Sequence, residues 1–178
     1  MTKTISLFFA VIILGAAIKV VADVPSISSA APVIYLADNL DEKDKLGWCI
    51  DTEGRGFAEK LQSHSCKPDR GQPNDTQFSY DKSSGQIRSV PFAGKCMAFN
   101  NPSDKVWPFG LVDCVADESA QQFIYDATSM EIQLTSDTSQ CVVVAPTSII
   151  AGPFMSRDLL VGTCASVDEP FKQWVVKD

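Results

Sequence analysis

Asp51, Gln62 and His64 are the residues whose types and spacing suggest chemistry. They sit within and just beyond a polar loop bracketed by Cys49 and Cys66, 17 positions apart. A carboxylate accepts directed hydrogen bonds, a carboxamide donates and accepts them, and an imidazole does both and titrates near neutral pH. Asn74 and Asp75 add polar groups a few residues downstream. Asp51 also precedes Gly54 and Gly56, so it suits the start of a turn equally well. Catalytic arrangements find little support. His64 is the single histidine, so a cysteine nucleophile would have only that residue as its base. No Cys-x-x-Cys is present, which argues against zinc. There is no nucleophile elbow, Walker loop or metal motif, and no carboxylate pair is singled out for glycoside hydrolysis. The chain is therefore expected to be non-catalytic, with no cofactor and no metal.

The elements that must position these residues recur along the chain. First cysteines fall at Cys49, Cys96 and Cys141, and second cysteines at Cys66, Cys114 and Cys164. The aromatics Phe78, Phe123 and Trp174 follow the second cysteines by 12, 9 and 10 positions. Such a period marks three copies of one unit, near 33–82, 83–128 and 129–178. Like positions should do like jobs, so the expected bridges are Cys49–Cys66, Cys96–Cys114 and Cys141–Cys164. Each unit holds about four short apolar runs, often β-branched, separated by Gly, Pro, Asn, Asp and Ser. The expected fold is all-β. A propeller of only three blades would fall below the usual number. Three four-stranded units are better closed as a β-trefoil, with Phe78, Phe123 and Trp174 filling the shared core. Trp48 is expected to pack inside, and Trp107 to pin the loop of the second unit.

The first residues differ from the rest. Lys3 precedes an apolar run from Ile5 to Ile18, and Val20-Val21-Ala22 offers small residues for cleavage before Asp23. The run is shorter than the roughly 20 apolar residues of a membrane span. Residues 1–22 are expected to be a removed signal peptide, 23–32 a short linker, and 33–178 the domain, with the mature chain secreted and not inserted in a membrane. Six cysteines in an exported chain suit three disulfides. The net charge is −7, and losing Lys3 and Lys19 with no acid would make it −9. Such a chain repels nucleic acid and anionic membranes.

The repeated frame resembles the ricin B-type β-trefoil lectin domain. Cys49-Ile50-Asp51 matches the first element of that pattern, Gln62-Ser63-His64-Ser65-Cys66 the second more loosely, and Asp75-Thr76-Gln77-Phe78, Ala120-Gln121-Gln122-Phe123 and Phe171-Lys172-Gln173-Trp174 the third. The resemblance implies one shallow sugar site per unit. The aspartate accepts from two sugar hydroxyls, an aromatic stacks on the ring, and an asparagine adds a contact. In the first unit those places fall to Asp51, His64 and Asp75, with Asn74 beside Asp75 and Gln62 before the stacking position. The second unit has Ala98 and Val112 instead, and the third Val143 with Gly162 or Thr163. One carbohydrate site in the first unit is expected, for a glycan or glycoconjugate. The alternative is a trefoil that has lost sugar binding and acts through a protein partner. Asn74-Asp75-Thr76 is also a glycosylation sequon, and a glycan there would crowd the site.

Overall fold

The computed structural model describes residues 23–71, 74–100 and 107–178. The expected signal segment lies outside the described residues. The first unit forms β1 (Val33–Leu36), β2 (Trp48–Thr52), β3 (Leu61–Ser65) and β4 (Phe78–Asp81). The second forms β5 (Gln86–Ser89), β6 (Lys95–Phe99), β7 (Phe109–Asp113) and β8 (Phe123–Asp126). The third forms β9 (Glu131–Leu134), β10 (Asp137–Val144), β11 (Ile149–Ala151), β12 (Phe154–Thr163) and β13 (Trp174–Lys177). The strands stay short because turn residues interrupt them. Gly85, for example, ends the turn that begins at Asp81, with its N–H on the Asp81 carbonyl at 2.8 Å and φ at +71°. A side chain there would place Cβ 2.9 Å from the Phe123 carbonyl oxygen, so glycine suits both the conformation and the approach.

The first and last strands of each unit close a six-stranded barrel. β1 pairs with β13 from Val33↔Lys177 to Leu36↔Trp174, and meets β4 through Val33↔Gln77. β4 pairs with β5, and Phe123 N–H on the Gly85 carbonyl joins the second unit's ends. β8 pairs with β9, and Glu131↔Gln173 returns the ring to the end of the chain. The three hairpins β2–β3, β6–β7 and β10–β12 form a cap. They touch one another where β3 pairs with β12 and where Lys60 bridges Gly110. This is the expected β-trefoil.

Phe78, Phe123 and Trp174 are buried together with Trp48, Ile34 and Leu36. The two indoles keep their N–H groups satisfied inside: Trp174 donates to the Val142 carbonyl and Trp48 to the Asn39 carbonyl, both at 2.8 Å. Two tyrosines one repeat apart clasp successive units. Tyr80 donates to the Phe123 carbonyl and Tyr125 to the Trp174 carbonyl, both at 3.0 Å. The three expected disulfides are formed, Cys49–Cys66, Cys96–Cys114 and Cys141–Cys164.

The third unit carries one strand more than the expected four. β11 folds onto the start of β12 as a small arm, Ile149↔Ser156 to Ala151↔Phe154, turning at Gly152-Pro153. β12 runs for 10 residues; its first part flanks β3 and its second part pairs with β10. Residues 23–32 lie against the first unit. Asp23 N–H donates to Asp38, Ser26 N–H to the Lys45 carbonyl, and Pro25 and Ile27 cover Gly47. Trp107 is half-buried; 101–106, the rest of its loop, fall outside the described residues.

Candidate functional site

The β2–β3 hairpin sets the site. Its register pairs Cys49 with His64 and Asp51 with Gln62. Alternation along each strand then sends those four side chains to one face, while Trp48 and Ile50 enter the core. On that face the Cys49–Cys66 bridge ties down the end of the hairpin, and Lys67 follows at once. Its ammonium donates to Asp51 Oδ2 at 2.8 Å and also pairs with Asp75. Asp51 and Asp75 are thus brought together by a lysine.

Asp51 is fully buried. Burial pushes its carboxyl up to about 7, with the Asp75 charge adding to the rise and Lys67 opposing it. Its Oδ1 is buried and has no hydrogen-bond partner among the described residues. His64 is also buried, and its Nδ1 lies 2.9 Å from the Ser65 carbonyl, which assigns the proton to that nitrogen. Burial holds His64 below its usual value, so the ring is neutral and its 3.7 Å approach to Asp51 is not an ion pair. The imidazole meets Phe154 edge-on, with centroids 5.5 Å apart. Gln62 donates to the Thr52 carbonyl at 3.2 Å. Asn74 stands apart in role: its side-chain oxygen accepts from the Thr76 N–H at 3.0 Å and from the Thr76 hydroxyl, shaping the turn.

A groove of about 840 Å³ opens beside this cluster. The β2–β3 hairpin and the segment after Cys66 form one wall, and the β11–β12 arm forms the other. Gln62, His64 and Lys67 line it; Asp51, Asn74 and Asp75 do not. Asp51 therefore lies beneath Lys67 rather than on the open surface. Beneath the arm, the Arg157 guanidinium packs over the Trp48 ring at 4.7 Å and pairs with Asp41.

The other two units have the same frame without the polar groups. Ala98 faces Gly110 and Cys96 faces Val112 in the second; Val143 faces Leu160 and Cys141 faces Gly162 in the third. Gly162, not Thr163, holds the place of His64, and Val167 packs close against it.

Sequence reasoning missed Lys67 and Phe154. Lys67 was visible by the logic that singled out Asp51, because the residues after the other second cysteines are Val115 and Ala165. Phe154 carried no such signal, since the arm that supplies it has no counterpart in the first two units.

A model of the ricin-type β-trefoil lectin domain matches residues 39–174. Among solved structures, the chain is similar to the β-trefoil lectin of the Vibrio vulnificus hemolysin/cytolysin, seen with N-acetyl-D-lactosamine bound. The TM-score is 0.52 at 16% identity, covering 81% of this chain and 90% of that one. It is also similar to the cytolethal distending toxin of Actinobacillus actinomycetemcomitans, with a TM-score of 0.50 at 18% identity, covering 82% and 90%. At these identities the likeness shows the fold alone. No curated protein matches the chain.

Proposed function

This chain belongs to the ricin-type β-trefoil lectin family, and from that premise we propose that it is a secreted, non-catalytic carbohydrate-binding protein with one weak site, in the first unit. The observation that carries this is Asp51. It is a buried carboxylate with an unpartnered oxygen, standing beside a groove, in the one unit that keeps polar residues at these positions. Lys67 presents N–H donors to Asp51 and Asp75 in the way two sugar hydroxyls would. A bound pyranose takes its place: the flexible lysine swings outward and the hydroxyls donate to the two carboxylates. The C–H face of the sugar then rests against His64 and Phe154. Removing an ammonium from two carboxylates opposes binding, so single-site affinity is low and avidity depends on several copies acting together. The three disulfides support an oxidising, extracellular setting.

The test is a glycan array on residues 23–178, repeated with Asp51→Asn. Binding that drops at least ~10-fold in the variant, about 1.4 kcal/mol, supports the site. Hits that ignore the substitution reject it. A second reading has one specific observation behind it: Ile149 and Ile150 stand 68% and 69% exposed, side by side on β11. Such a patch suits a protein partner, and an array with no hits favours that reading.

A further inference from the structure

The charges lining the groove are opposite in balance to those of the chain. Among the described residues, five cations and two carboxylates line it, in a chain whose net charge is −7. The acids are already engaged. Lys60 holds both lining carboxylates, Glu53 at 2.9 Å and Asp158 at 3.3 Å. Lys67 holds Asp51 and Asp75, and Arg157 holds Asp41, three carboxylates that do not line the groove. Arg55 and Arg70 remain. Both are exposed, both line the groove, and neither has an ion-pair partner among the described residues. One stands in the β2–β3 loop and the other follows Cys66, so both belong to the unit that holds Asp51.

From this we propose that the groove takes an acidic oligosaccharide, with the sugar's carboxylate or sulfate on Arg55 and Arg70. The proposal rests on the carbohydrate reading above and names its ligand class. Each guanidinium offers five N–H donors in a planar fork that matches an oxyanion. A neutral sugar leaves those donors to water. The wall opposite, with Phe154 and Ile149, supplies the apolar surface against which sugar C–H groups lie. The size of the groove suits a few sugar residues. A long polyanion would run beyond it onto a surface whose net charge repels it.

An array of matched probes tests this: neutral oligosaccharides, the same chains ending in sialic or uronic acid, and the same chains sulfated, each at low and at 0.15 M salt. The expected result is ~5–10-fold tighter binding of acidic probes than of their neutral counterparts, since each exposed charge pair contributes a factor of a few. That preference narrows as salt shortens the Debye length from ~30 Å at 0.01 M to ~8 Å at 0.15 M. The doubly substituted Arg55→Ala, Arg70→Ala chain loses the preference and still binds neutral probes. Both side chains are exposed, and an unchanged melting temperature shows that the fold has survived. A carboxylate-only or sulfate-only response identifies the anion. Neutral probes bound as tightly as acidic ones overturn the proposal and leave the carbohydrate reading standing. So does an acidic preference that the arginine variant retains. Failure of every probe, neutral and acidic, overturns both.

Discussion

Asp51 makes the first unit sensitive to pH. Burial keeps its carboxyl near 7, against an ordinary value of 3.8. A carboxyl whose folded value is raised stabilises the fold in its protonated state. The contribution is complete below pH 3.8 and is lost as pH rises through 7, by up to about 1.4 kcal/mol per pH unit. Chemical denaturation of the native chain should therefore show a falling component across that interval, and Asp51→Asn should flatten it. Parallel profiles for the two chains would contradict the assignment. Binding runs the other way, because sugar hydroxyls donate best to an ionised carboxylate. Glycan affinity should weaken as pH falls through 7, with the midpoint set by Asp51. His64 is held below its usual value by burial, so His64→Asn should keep that midpoint even where it weakens binding. A midpoint that disappears with the imidazole would assign the pH response to His64 instead. In a sequence the ordinary value of histidine is the visible one, and desolvation by burial, which raises Asp51 and lowers His64 here, is not.

At the scale of elements, the arm and the turns separate binding from stability. Shortening the arm by replacing residues 149–153 with a two-residue turn should leave the barrel intact, because neither β11 nor its turn belongs to it. It should remove one wall of the groove and weaken glycan binding several-fold, with a melting temperature close to native. A large loss of stability would show that the arm is structural instead. The turn at Gly85 makes the opposite case. Gly85→Ala should cost about 2 kcal/mol or more, since it combines a left-handed φ with a 2.9 Å approach to the Phe123 carbonyl. Gly54→Ala, at φ +85° but with nothing within 4 Å of the added carbon, should cost only about 1 kcal/mol. Equal losses in urea denaturation would mean that close packing at Gly85 does not matter. The turn before β5 was legible in Asp81-Lys82-Ser83-Ser84-Gly85. The arm was legible only as surplus length: the third pair of cysteines is 23 apart, against 17 and 18 in the others. Spacing shows that extra residues exist, and pairing partners far along the chain decide what they form.

For the whole molecule, the repeat made the architecture readable. Three equal frames fixed the bridges, the barrel and the core aromatics, because each unit repeats the same packing problem. The pairing of Lys67 with both Asp51 and Asp75 was not readable, since it depends on side-chain geometry that no period encodes. Integrity of the ring should depend on its seam. Trp174→Ala removes a fully buried indole that also pairs with Leu36 in β1, and should cost about 3–5 kcal/mol and lower the melting temperature of every unit together. Separate melting of the third unit would contradict a single cooperative barrel. The seam has a further consequence for biogenesis. β1 needs β13 to complete its pairing, so a chain emerging from the ribosome cannot close the ring until Trp174–Lys177 has left the exit tunnel. Each bridge, in contrast, joins cysteines 17, 18 or 23 residues apart within one unit. If the chain is exported into an oxidising compartment as proposed, oxidation can staple the hairpins one after another during synthesis, while the barrel itself waits for the last strand.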